Sequence, residues 1–372
     1  QLNLIFFFFI YYMPVPTNYL INDVRTFDYF KVKSFSGFLT KDVVATLKKN
    51  ILKNNIEESC NWCIELFLSL HIEKLYSIFL DIALKNINIL SPKLPSLLHK
   101  RFKQLIDSNL SMSDMRNSQM VRNHIIDFCI IVCMSNKNKT IGISTLKDNE
   151  MDAKFILKKI KSEKSYVDNL FRSNDPIEIK FIVNEMVHNM KTSDFTGTVY
   201  MLSWLIQYDK LSSKKKKPIT CHERISSNIK KENQTDLIWL LWEIVISESQ
   251  KTLSISVQKE IDSLFKLYKL FYKPKSKYKH INLYLFAIKY FTDIYDISTP
   301  IIYNYYISLQ ICMKINFMIG QKKHLEVVKS NNVSFEIIKK KKEKAKKKTP
   351  KQLKEENVQK RFDIISNIDI NN

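Results

Sequence analysis

The chain has 372 residues, a formal net charge of +22, 45% hydrophobic residues and only four glycines. That length and hydrophobicity suit a large buried core, in two helical lobes or one long array, and argue against global disorder. Gly37, Gly142, Gly197 and Gly320 are isolated, so no G-x-G-x-x-G and no G-x-x-x-x-G-K-[ST] can be written. This argues against Rossmann, P-loop and protein-kinase nucleotide sites, and it disfavours sheet-rich folds, which need glycine at tight turns.

The chain opens on QLNLIFFFFIYYMPVP. The apolar run Leu4 to Met13 is short for a bilayer span, which needs about 20 residues, and it lacks the basic n-region and cleavage site of a signal peptide. Phe, Ile, Tyr and Leu are what AT-rich DNA encodes. Residues 1–12 are therefore expected to be upstream read-through, with the native start at Met13. Residues 18–40 read as irregular and aromatic-rich. A helix follows Thr40, with Val43, Val44, Leu47 and Ile51 on one face. Asn55 as N-cap with Glu58 three residues on predicts a capping box for IEESCNWCIELFLSL. HIEKLYSIFLDIALKNI is a third helix before the loop NILSPKLP, and residues 96–110 and 116–135 continue the series.

After the loop NKNKTIGIST, Asp175, Pro176 and Glu178 supply N-cap, N1 and N3 chemistry for the next helix. Ile179, Ile182, Val183, Met186, Val187 and Met190 form a single core-facing stripe on it. GTVYMLSWLIQYDKL is a buried helix running into a basic linker, 210–234. Four more apolar helical stretches follow, the last from Pro300 to Gly320. From about Ser330 the chain is lysine-rich low complexity, expected to be disordered. The fold expected is all-α, a multi-helix bundle or irregular array in two lobes, 13–209 and 235–329, with a basic tail, 330–372.

Charge is concentrated in two places. Residues 210–231 carry a net +7 and residues 339–361 a net +9 of the +22. Candidate polyanion contacts in the first are Lys214, Lys215, Lys216, Lys217, Arg224, Lys230 and Lys231. In the tail they are Lys339, Lys340, Lys341, Lys342, Lys346, Lys347 and Lys348. The run KPKSKYKH adds lysines around Pro274 and Ser276, and Tyr268, Phe271 and Tyr272 just before it come nearest to a basic, aromatic-interleaved nucleic-acid pattern. Lysines of this kind neutralise phosphates without reading sequence.

Other motifs read as structure. Cys60-Asn-Trp-Cys63 has thiol-redox or half-zinc spacing, but it has no second ligand pair and lies mid-helix, with Cys60, Cys63, Ile64 and Phe67 on one face. The six cysteines read as reduced, buried small residues. Glu185 with His188 has the i, i+3 spacing of di-iron bundles but no second copy. Cys129 with Cys133, His124 with Asp127, and Cys221-His222-Glu223 are weaker still. Trp62, Trp204, Trp239 and Trp242 read as core. No catalytic, cofactor or metal site is expected.

Residues 25–95, with TFDYFK…SFSGF, then Cys60, Asn61, Trp62, Glu65 and Leu66 in one helix, and Pro92, Leu94 and Pro95 in the SPKLP loop, carry a family resemblance. This stretch resembles uncharacterised proteins of nucleocytoplasmic large DNA viruses, the mimivirus-like and phycodnavirus-like groups. Weaker similarity runs over roughly residues 18–320. Where members carry a Ser-Gly turn after this helix, the chain has Ser69-Leu70-His71. Residues 40–95 are also similar to the helical collar of clamp-loader-like AAA+ ATPases, with collar-like helices over about 40–110 and without the ATPase part. The resemblance implies no catalytic residues. It implies a helical assembly module near replication or recombination machinery, not an ATPase. Together with the two charge clusters, it leads to the expectation of a non-enzymatic accessory protein of a large DNA virus, in the viral factory or nucleus, with DNA or RNA and replication or transcription proteins as partners. The short opening run gives the expectation that it is neither secreted nor membrane-spanning. A virion-associated scaffolding role, and an enzyme whose site is spread over several helices, remain open alternatives.

Overall fold

The computed structural model describes residues 14–224, 229–301 and 304–328. The predicted read-through segment and the lysine-rich tail lie outside the described residues. The fold is all-α. The described residues hold α1 Phe27–Phe30, α2 Thr40–Leu52, α3 Ile56–Leu68, α4 Ile72–Ile82, α5 Leu94–Asp107, α6 Met112–Arg116 and α7 Gln119–Met134. They continue with α8 Ala153–Leu157, α9 Lys180–Lys191, α10 Phe195–Lys214, α11 Leu237–Thr252, α12 Ile255–Phe271, α13 Ile281–Thr292 and α14 Tyr305–Lys323. Extended pairing among them is limited to two isolated bridges, Lys33 with Leu39 and Thr220 with Asp236. No described helix is long and apolar enough to cross a membrane.

The chain divides into two compact units that are not consecutive in sequence. Among the described residues, the first takes 14–76, 101–133 and 304–328, and the second takes 77–100, 134–224 and 229–301. The described residues of 210–234, the linker expected between lobes, fall inside the second unit. Charge and loop composition mark solvent exposure, and exposure is not the same as a break in packing.

In the first unit, α2 and α3 form an antiparallel pair. Their turn explains why the expected capping box is absent. Asn54 takes a left-handed φ of 58°, and the Asn55 N–H closes back on Asn50 O at 3.0 Å. That is a Schellman end for α2. It leaves the Asn55 side chain bonded to Asn50 and without a cap hydrogen bond, while Glu58 accepts from the Trp62 indole at 3.1 Å. The segment before α2 is pinned rather than loose. Phe30 and Phe35 are buried, and buried Glu65 accepts from the Ser36 N–H and hydroxyl, both at 2.7 Å. The fully buried Arg122 guanidinium ties three elements, donating to Arg116 O at 2.7 Å, Asn316 Oδ1 at 2.8 Å and Tyr19 O at 3.0 Å.

In the second unit, α9 and α10 form one helical hairpin, and α11, α12 and α13 pack in succession beside it. The predicted α9 stripe is buried at all six positions. Trp239, Trp242, Tyr268 and Tyr284 build the core of α11–α13, with the Trp242 ring edge-on to Tyr284 at 5.1 Å. Burial of each such ring contributes on the order of 2–3 kcal/mol. Asp175 does not cap α9, which begins at Lys180 after a 3-10 turn, Ile177–Ile179. Its carboxylate is engaged by Arg224 and by the backbone N–H groups of Arg172 and His222. A tertiary charge partner outcompetes a local cap that contributes about 1 kcal/mol.

Candidate functional site

The four-lysine run closes α10 as an ordered helix end. The Lys217 N–H reaches Ser212 O at 2.9 Å and the Lys216 N–H reaches Ser213 O at 3.1 Å, with Lys216 at a φ of 60°. This again is a Schellman closure, with lysine where glycine is the usual residue. The run sits at the negative end of the helix dipole, which favours cations. Lys214 to Lys217 are all exposed.

Two other basic segments are joined to this helix end. Asp209, one turn before the run, is fully buried and takes Lys277 at 2.7 Å and the Tyr278 hydroxyl at 2.7 Å. The same Lys277 ammonium reaches Asp236 at 2.9 Å, and Asp236 also accepts from the Tyr272 hydroxyl. Asp236 pairs with Thr220, and the Cys221 N–H donates to Thr235 O at 2.8 Å. Burial works against the Lys277 charge, but Asp209 and Asp236 outweigh it and hold its pKa above the ordinary lysine value. The Asp209–Lys277–Asp236 triad thus clamps together 209–217, 229–236 and 272–280. These three segments contain eleven lysines against Asp209, Glu232 and Asp236, a net +8. Ten of the eleven are exposed: Lys210, Lys214 to Lys217, Lys230, Lys231, Lys273, Lys275 and Lys279.

Several predicted contacts fall elsewhere. Arg224 does not face solvent. Its side chain is 1% exposed and is held by Asp175 and Glu243, which raise its pKa against the effect of burial. It is an internal staple that ties the 221–224 segment to α11. Pro274 and Ser276 are exposed, and the charge around them comes from Lys273, Lys275 and Lys279. The aromatic platform does not form. Tyr268 and Tyr278 are buried, Tyr272 packs on Trp239 at 4.6 Å, and Phe271 packs on His280 at 5.1 Å. Lys339 to Lys342 and Lys346 to Lys348 lie outside the described residues. Asp209, Asp236 and Tyr278, which organise the face, carry no sequence signal of their own, because an acid beside lysines reads as ordinary charge mixing.

The remaining motifs behave as packing. All six cysteines are free and buried. Burial raises the Cys63 and Cys129 thiol pKa values, and the Cys129 contact together with burial raises that of Cys60, so all three stay as thiols. Glu185 accepts from the Lys161 and Ser162 N–H groups, both at 2.9 Å, and the His188 ring stacks on Tyr166. Asp127 is held by Arg101 and by the Ser308 hydroxyl at 2.8 Å. Among the described residues no group of three or more His, Cys, Asp or Glu could hold a metal ion. A cavity of about 170 Å³ beside α9 is lined by Val187, Met190, Lys191, Glu248 and Phe291, and its two charges neutralise each other at 2.7 Å. Of the resemblance motif, Cys60, Glu65, Leu66, Pro92, Leu94 and Pro95 are buried, while Asn61 and Trp62 are half-exposed, so Trp62 is not a core residue. The Ser69-Leu70-His71 turn places Leu70 at a φ of 60°, the conformation a glycine would take without strain.

No protein-family model, curated protein or solved structure matches the chain.

Proposed function

We propose that the chain is a non-enzymatic accessory protein that holds nucleic acid through the lysine face of its second unit. The observation that carries this reading is the gathering of ten exposed lysines from three sequence segments around one Asp–Lys–Asp clamp anchored on the buried Asp209. Flexible ammonium groups on a fixed framework neutralise phosphates and release counterions, and this needs no catalytic group. The lysines of the tail add to the same affinity. A place in the replication or transcription complex of a large DNA virus is part of the proposal, resting on the residue 25–95 motifs. Gel-shift titration at rising salt tests it. Binding at low salt, weakened by at least tenfold when Lys214 to Lys217, Lys273, Lys275 and Lys279 are changed to Gln, is expected. No binding at low salt, or undiminished binding by that variant, would refute it.

A further inference from the structure

We infer that this face takes the phosphodiester backbone of a double helix and reads no bases. The inference rests on the nucleic-acid reading above and goes further by naming the ligand's strandedness. Three observations carry it. First, single-strand binders stack bases on exposed aromatic rings. Here the rings beside the lysines are already committed: Tyr268 and Tyr278 are buried, Tyr272 lies on Trp239 with its hydroxyl on Asp236, and Phe271 packs on His280. Second, base-edge readout in a groove relies on bidentate side chains, arginine on guanine above all. The arginine of this region, Arg224, is internal, and every exposed cation of the face is a lysine, a point charge that binds phosphate but discriminates poorly between bases.

Third, lysines that act only as charges favour the denser polyanion. A duplex carries one charge per about 1.7 Å, and its salt slope is about −0.9 per neutralised phosphate against about −0.7 for a single strand. With about six phosphates engaged, the slopes differ by about 1.2. If the two affinities converge near 1 M salt, where the attraction is screened, the duplex is favoured by about fifteenfold at 0.1 M.

The test is fluorescence anisotropy of the full chain with a labelled 24-base-pair duplex, each of its single strands, and a duplex of scrambled sequence, from 50 mM to 500 mM salt. Wild type is compared with the chain carrying Lys→Gln at 214–217, 273, 275 and 279, and with one changed only at 273, 275 and 279. Far-UV circular dichroism checks that both variants fold. All three proteins keep the tail lysines, so the difference between them isolates the face. The expected result is about fifteenfold tighter binding of duplex than of either strand at 0.1 M salt, equal binding of the two duplex sequences, and a preference that shrinks stepwise in the two variants. Equal or tighter binding of a single strand, or a sequence preference above about threefold, overturns the backbone-only inference and leaves the nucleic-acid reading standing. No binding of any probe at 50 mM salt, or variants that bind like wild type, overturns both.

Discussion

Replacing Lys277 by Met should destabilise the second unit by about 2–3 kcal/mol. Lys277 sits 2.7 Å from Asp209, whose side chain is fully buried, while the Lys277 side chain is 14% exposed. Breaking a buried pair by removing one partner costs about 3–5 kcal/mol, because the remaining charge is stranded. Two features reduce the figure here. Water reaches the edge of the lysine, and the Tyr278 hydroxyl still donates to Asp209 at 2.7 Å, a bond to a charged group that contributes about 1.5 kcal/mol or more. Adding Asp209→Asn removes the stranded charge and keeps an acceptor for Tyr278. The double variant should therefore recover at least 1 kcal/mol of the loss. Urea unfolding followed by tryptophan fluorescence is the suitable assay, since Trp204, Trp239 and Trp242 lie in the second unit and Trp62 in the first. A cost below about 1 kcal/mol for Lys277→Met, or a double variant no more stable than the single one, would refute the clamp.

Lys216→Gly should raise stability by about 0.5–1 kcal/mol, because glycine takes the left-handed position without the Cβ clash. A thermal midpoint unchanged or lowered in Lys216→Gly would count against the Schellman closure. Stability should fall as pH drops from about 6.5 towards 4. Burial, aided by Arg101, lowers the His124 pKa to about 3, and burial, aided by Lys279 and Lys273, lowers that of His280 to about 4. Unfolded histidines take protons near pH 6.5 while the folded ones do not, so acid favours unfolding across that window. Below about pH 4 the paired carboxylates Asp175 and Glu65, whose pKa values are lowered in the fold, add to the loss as they protonate. A thermal midpoint that stays flat between pH 7.5 and 4.5 would contradict this. The six buried thiols should react with Ellman's reagent in urea and stay silent in the native protein, and rapid native labelling of Cys60 or Cys63 would reopen the redox reading of that pair.

What periodicity encodes was legible. The α9 stripe from Ile179 to Met190 and the shared face of Cys60, Cys63, Ile64 and Phe67 are buried as their spacing requires. Signals that depend on one polar side chain were not. Asn55 and Asp175 both have good N-cap chemistry, yet one serves the end of the preceding helix and the other a buried arginine. A local rule sees only the neighbours in sequence, and either residue gains more from a partner the rule does not contain. Leu70 and Lys216 show a second kind of silence. Each sits in a left-handed turn that glycine would have announced, so the chain's shortage of glycine hid two of its helix ends.

The same limit explains why the lysine face was only partly legible. Along the chain, charge sums by sequence window, so Arg224 counts as part of a basic loop and Lys273 to Lys279 as a separate minor cluster. In space, charge sums by surface. The window loses Arg224 to an internal network and gains Lys273, Lys275 and Lys279 through a clamp built from two acids and a lysine. Lys277 is thus the basic residue of that run least available to a phosphate and the one on which the position of the others depends. Its substitution should weaken nucleic-acid binding more than the loss of one exposed lysine, and the excess measures how far the face depends on being held together.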